Sequence, residues 1–255
     1  MNKIVKYVIA DLLRNRAVMV YAIVLLVLSF SVFSMEDHPD KGVVSLLSII
    51  LFAVPLVSII FATVYLYNSV EFIELLVSQP LKRITIWLSI FIGLASTMVL
   101  AYLVGVGIPV LLYAFTPSGL VLLLCGTLLS VVFVAVAMWA AVRIRDKAKG
   151  IGLAIMLWLY FALLFDALVL FVLFQFADYP IEQAMIAVSM LNPIDISRIL
   201  ILLQVDLSAM MGYTGAIFRS FFGTTGGMAV TVAVLLCWVF LPVWWATRTF
   251  ERRDL

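Results

Sequence analysis

Few side chains in this sequence could carry acid–base, nucleophilic or metal chemistry. There is one histidine, His38, and two cysteines, Cys125 and Cys237. One carboxylate, Asp166, stands well inside an apolar stretch. His38 lies beside Glu36, Asp37 and Asp40 in a short polar segment. A metal site needs several converging ligands, so the expectation there is a solvated loop, and no metal site is assigned. The cysteines fall in separate apolar stretches, form no C-x-x-C motif and imply no disulfide framework. They read as small core residues. With no G-x-x-x-x-G-K-[ST], no H-E-x-x-H and no embedded Ser/His pair, the chain has neither a P-loop nor a hydrolytic constellation of its own. Asp166 remains. A carboxylate inside a membrane is costly and often functional. An ion-coupled transporter generally needs more than one such group or a broken helix around it, whereas a lone aspartate can equally bond across a helix interface.

The elements that would position these groups are long and apolar. Of the 255 residues, 66% are hydrophobic, outside the range of soluble domains. Stretches near 17–34, 44–67, 85–114, 119–142, 150–174 and 228–247 each approach or exceed the ~20 residues that cross a bilayer as helix. The first lacks an A-x-A-like cleavage site and is read as retained. Six spans put both termini on one face. That face holds Lys3, Lys6, Arg14, Arg16, Lys82, Arg83, Arg143, Arg145, Lys147, Lys149, Arg248, Arg252 and Arg253, and the other only Lys41, Arg198 and Arg219. The positive-inside rule makes the richer face cytoplasmic. A net charge of +2 with dispersed basic residues argues against nucleic acid as a partner.

Three segments outside the spans carry pattern. In residues 1–16, Val5, Val8, Ile9 and Leu12 share one helical face, with Lys3, Lys6 and Arg14 opposite. That is a basic amphipathic helix for the headgroup layer, either a topology anchor or an elbow helix touching a partner. In residues 68–84, Val70–Val77 reads as a short helix with Glu71, Glu74 and Ser78 in one polar stripe. Phe72, Leu75 and Leu76 are expected on the other face. Pro80 ends the helix and biases Gln79 toward extended backbone, and Lys82 and Arg83 mark the return to the membrane. Such a helix is a simple interfacial turn or a lever that a soluble partner grips. Arg143–Gly150 reads as a charged topology-setting turn.

Residues 175–227 are too apolar for a free loop. Residues 181–190 predict an interfacial helix. Asn192 is then a good N-cap, Pro193 suits the first helical position, and Asp195 sits where a capping-box acid would. Asp195 and Arg198 can pair at i, i+3 on a helix expected to run to about Met211, where Gly212–Gly215 breaks it. Met185, Met190, Met210 and Met211 decorate this segment. Thioethers suit Cu(I) and also serve as ordinary filler of irregular apolar surfaces.

The order of these parts resembles the ABC-2 (type V) permease family: an all-α membrane domain over 1–255 with an N-terminal amphipathic elbow, six transmembrane helices, a coupling helix between spans two and three, and outer half-helices before span six. ELLVSQPLKR (Glu74 to Arg83) is similar to the coupling segment of one subgroup. LNPIDISRILILL (Leu191 to Leu203), MGYTGAIFRSFFG (Met211 to Gly223) and WATRTFERRDL (Trp245 to Leu255) resemble the permeases of the copper-processing transporter that serves nitrous oxide reductase maturation in denitrification. The resemblance implies a homodimeric, non-enzymatic subunit of the bacterial inner membrane, with both termini cytoplasmic. Two separate cytoplasmic ABC ATPase subunits would bind ATP and magnesium. A periplasmic β-helical protein and a copper chaperone would handle copper, and the permease would act by mechanotransmission. Glu71, Glu74, Ser78, Gln79, Pro80, Lys82 and Arg83 would then serve ATPase coupling, and Asn192, Pro193, Asp195 and Arg198 the periplasmic partner. An ABC-2 exporter of a lipid, glycan or hydrophobic drug stays open beside this reading, as does a secondary transporter using Asp166.

Overall fold

The computed structural model describes residues 2–36, 38–175, 182–205 and 225–251, and among these every regular element is a helix. Helix α1 (Asn2–Leu13) precedes α2 (Arg16–Met35) and α3 (Pro39–Asn68). A short α4 (Val70–Val77) follows, then α5 (Arg83–Tyr102), a π-helical turn (Leu103–Gly107) and α6 (Ile108–Tyr113). Next come α7 (Pro117–Arg143), α8 (Lys147–Leu159), a second π-helical turn (Tyr160–Leu164) and α9 (Phe165–Gln175). Helices α10 (Glu182–Ser189), α11 (Pro193–Gln204) and α12 (Thr225–Glu251) complete the described chain. Among the described residues six helical stretches are long and apolar enough to cross a membrane: Arg16–Met35, Pro39–Asn68, Arg83–Tyr113, Pro117–Arg143, Lys147–Val172 and Gly226–Glu251. They match the six expected spans to within a few residues at most ends.

Spans two, three and four form the centre. Half or more of each apolar window is buried there, against 17% for spans five and six. Span four is packed against span two and span six, with Val132–Ala137 buried throughout. Span three contains Pro109, which cannot donate to the carbonyl four residues back and crowds it. The π-helical turn at Leu103–Gly107 lies immediately before it, a local adjustment of the kind that accommodates proline in membrane helices. The same turn brings Gly105 against span one. A Cβ there would lie 2.6 Å from Leu25 Cβ and 2.9 Å from the Ala22 carbonyl, so only glycine permits this crossing, as at small-residue interfaces generally.

Helix α1 buries Val8 and Leu12 and half-buries Val5 and Ile9, while Lys6 and Arg14 remain exposed. The apolar stripe expected from spacing is therefore the packed one, and it lies against α5. Cys125 is buried and Cys237 exposed, and both are free thiols.

Candidate functional site

Helix α4 sits at the end of the bundle that carries the basic loops. Only Ser69 separates it from α3, and the backbone hardly breaks: Ser69 N–H donates to Tyr65 O at 2.9 Å and Ile73 N–H to Ser69 O at 2.9 Å. α3 and α4 are thus mechanically one jointed rod. The helix ends at Val77. Ser78 Oγ donates to Leu75 O at 2.8 Å, and the Leu81 N–H reaches back over Pro80 to Gln79 O at 2.7 Å. Gln79, Pro80 and Lys82 are exposed, and Lys82 caps α5.

Glu71, Glu74 and Ser78 are exposed along one stripe, as their spacing predicts. Leu75 departs from expectation. It is 66% exposed, whereas Ile73 and Leu76 are buried and Phe72 is half-buried. At about 100° per residue Leu75 lies only about 40° from Glu71, so it belongs to the polar stripe. The outward face of α4 consequently carries an apolar knob at one edge of its acidic stripe.

Side chains from distant segments brace this rod. Tyr67 Oη donates to Ile144 O at 2.9 Å, and Lys147 Nζ donates to Asn68 Oδ1 at 2.7 Å. A Cβ at Gly150 would fall 1.9 Å from Tyr67 Oη, so Gly150 is what lets the tyrosine in. The Arg143–Gly150 turn, expected only to set topology, clamps the base of α4. Arg83 Nη1 donates to Glu251 O at 3.4 Å, and Trp87 stacks on Phe250 at 4.5 Å. Arg143 lies over Trp139 and Arg248 over Trp244, at 4.6 and 4.2 Å. Such cation–aromatic pairs suit an interfacial belt.

At the other end of the bundle α11 is embedded. Seven of its twelve residues are buried and none is exposed, so it is packed nearly all round, chiefly on α7 and then equally on α3 and α12. Asn192 caps it, accepting from Ile194 N–H at 3.0 Å, with Pro193 following in the first turn. The Asn192 Nδ2 donates in turn to Phe161 O at 2.8 Å. Phe161 lies in the π-helical turn of span five, where Phe165 N–H goes to Tyr160 O. An α-helical register would have paired that N–H with Phe161 O. Trp238 of α12 donates to Met190 O at 3.2 Å. One amide and one indole thus tie the α10–α11 turn to spans five and six.

The charged residues of α11 reach the same place. Arg198 Nη1 lies 2.7 Å from Asp166 Oδ2 and 3.3 Å from Asp195 Oδ1. The i, i+3 pair anticipated on α11 is present, and the span-five carboxylate joins it. Side-chain exposures are 33% for Arg198, 30% for Asp166 and 15% for Asp195. Asp166 Oδ1 is buried without a hydrogen-bond partner among the described residues. Two carboxylates share one guanidinium, and burial, then the Asp166 charge, push the Asp195 carboxyl up to about 6, with Arg198 pulling the other way.

Asn192 and Pro193 are buried, and Asp195 and Arg198 half-buried. Their visible work is to hold α11 in the bundle. Leu191, at 60% exposure, is the open residue beside them. Of the four methionines, Met190 is half-buried beneath Trp238. Met210 and Met211, the Met185 side chain, residues 212–222, Arg219 and the tail from Arg252 lie outside the described residues.

Among the described residues, a helical bundle of six apolar spans with a short amphipathic helix at one end and an embedded helix at the other defines a polytopic membrane protein. The chain belongs to the ABC-2 family transporter proteins, whose family model matches residues 8–255. It is similar to the probable ABC transporter permease protein NosY of Stutzerimonas stutzeri, with 29% identity over 83% of this chain and 80% of that protein. NosY of Pseudomonas aeruginosa is likewise 29% identical, over 80% of this chain and 82% of that protein.

Proposed function

We propose that this chain is the membrane permease subunit through which a separate cytoplasmic ATPase acts on a periplasmic partner in copper-site maturation of nitrous oxide reductase. The carrying observation is the exposed stripe Glu71, Glu74, Leu75 and Ser78 on a helix joined to span two by one residue. An ATPase gripping that stripe moves the span directly. The basic end faces the cytoplasm by the positive-inside rule. Ser78, Gln79 and Pro80 shape the end of the lever, and Lys82 and Arg83 fix it against the headgroups and the end of α12. Asn192, Pro193, Asp195 and Arg198 serve the partner indirectly, by setting where α11 and its exposed neighbour Leu191 stand. Spans five and six, with only 17% of their apolar windows buried, supply surface for a second copy. The similarity to NosY permeases and the residues Leu191–Leu203 support the copper-maturation role over an unspecified ABC-2 cargo. ATP and magnesium belong to the ATPase, and copper to the periplasmic proteins.

Gentle purification of the tagged protein from its native membrane, with identification of co-eluting chains, tests this. An ATPase together with a periplasmic β-helical protein is the expected result. An ATPase alone would turn the assignment toward an exporter. Absence of any ATPase from membranes where complexes survive would refute the coupling role and return attention to Asp166.

A further inference from the structure

At the basic end the helices do not close completely. They leave a cavity of about 330 Å³ walled by Leu66, Ile73, Trp87 and Phe250, with Glu74 and Arg145 contributing the charges. Its walls come from α4 and from the last or first turns of spans two, three, four and six, the depth at which phospholipid headgroups and ester groups lie. The volume falls within the range of ligand pockets.

Three features define an occupant. The lining is mostly apolar, so part of the ligand is hydrocarbon. It carries one carboxylate and one guanidinium, both on exposed residues, which complement a headgroup holding both signs rather than an anion alone. Trp87 is buried, and its Nε1–H donor has no hydrogen-bond partner among the described residues. A buried donor of that kind is normally satisfied, and the ester carbonyl of a glycerolipid is an acceptor at this depth. We propose that the cavity is a binding site for a zwitterionic phospholipid with a primary ammonium headgroup, the phosphatidylethanolamine chemistry. The ammonium has three N–H donors for the Glu74 carboxylate. A quaternary choline has none. The guanidinium of Arg145 is a fork of five donors, able to hold the phosphate and a protein acceptor together. The lipid then seats behind α4, against Ile73, where its presence would stiffen the joint at Ser69.

The test uses the full-length purified permease without any ATPase, which separates it from the coupling reading even though Glu74 appears in both. Protein is equilibrated with mixed micelles containing equal amounts of phosphatidylethanolamine, phosphatidylcholine and phosphatidylglycerol, then stripped stepwise, and the retained lipid is identified by native mass spectrometry. Retention of phosphatidylethanolamine above the other two is expected. Arg145→Gln should reduce that retention by about tenfold, the worth of one charge-assisted hydrogen-bonding contact. Trp87→Phe should reduce it by a smaller factor and keep the headgroup preference. Arg145 is exposed, and thermal unfolding of Arg145→Gln is the fold control. Equal retention of the ethanolamine and choline lipids, preference for phosphatidylglycerol, or undiminished binding by Arg145→Gln would each overturn the proposal.

Discussion

Leu75→Ala should weaken attachment of the ATPase by roughly 5–30-fold while leaving the permease as stable as before. Fully burying a leucine side chain stabilises by about 1.5–3 kcal/mol. Leu75 is 66% exposed in the isolated chain, so about two-thirds of that gain is still to be made when a partner covers it. The difference is about 1–2 kcal/mol per lever, hence the stated factor. An exposed apolar residue bordered on one side by acids and on the other by Phe72 can also serve as a hot-spot anchor once surrounding contacts exclude water. The assay is titration of the purified ATPase onto nanodisc-embedded permease, with thermal unfolding of the permease alone as the fold control. Ile73→Ala is the contrasting variant. Ile73 is 6% exposed and packs into the core, so its truncation should lower the permease's own stability by about 2–5 kcal/mol. If Leu75→Ala binds the ATPase with wild-type affinity, α4 does not present this face to the enzyme, and the lever assignment fails.

The other expectations concern charge and capping. Reversing both acids, Glu71→Lys with Glu74→Lys, should weaken ATPase binding and change its salt dependence, because both side chains are exposed and act mainly on encounter and register; unchanged assembly and salt response in a pull-down series would count against the stripe. Asp195, raised from 3.8 to about 6, binds its proton more tightly in the folded chain than unfolded. Its contribution to stability is therefore fully present below about pH 4 and is lost as pH rises through about 6. Asp195→Asn should remove that slope in thermal unfolding curves taken from pH 4 to 8, and a slope that persists would place the titration elsewhere. Asn192→Ala should loosen α11 by about 2–4 kcal/mol, the cap plus a stranded carbonyl. Asn192→Asp, which keeps the cap acceptor and loses the donor to Phe161 O, should recover part of that in hydrogen exchange over residues 191–204.

Periodicity and span length were enough to place the six spans and α4, because in a bilayer every backbone group must bond within its own helix and the apolar runs then report helix ends directly. The Asn192 cap and the Asp195–Arg198 pair were equally legible, being local. Leu75 departs from the face its hydrophobicity suggests, because a step of 100° per residue sets it beside Glu71 rather than with Leu76. The Asp166–Arg198 contact spans 32 residues of sequence and no local pattern encodes it. One signal pointed there. A lone carboxylate in an apolar span requires a partner, and Arg198 is among only three cations assigned to its side. The π-helical turn that offers Phe161 O to Asn192 left no trace that we could read in the residues themselves.

The two ends of the molecule share their supports, so a continuous packed path runs between them. α4 is continuous with α3 through Ser69, and α3 has its most extensive packing with α7. Just past the C-terminal end of α7, the Ile144 carbonyl accepts from Tyr67 at the end of α3, while α11 packs on the same α7. A tilt of α4 therefore loads α3 and α7 together, and α7 carries α11 with it. Close-packed interiors switch between discrete arrangements more readily than they deform continuously, so the displacement reaches α11 unless a contact along the way yields. Among the described residues two polar contacts hold α11 to span five, the Asn192 amide on the Phe161 carbonyl and Arg198 on Asp166, beside the packing of Val169 in the Ile196–Ile199 cluster. Span five has only 17% of its apolar window buried against the rest of the chain, as little as span six, so it is free to follow α11 or to be left behind. Breaking both polar contacts together should uncouple α11 from span five without altering α4. The readout is a distance between labels on α11 and α9 that changes while ATPase binding at the opposite end does not.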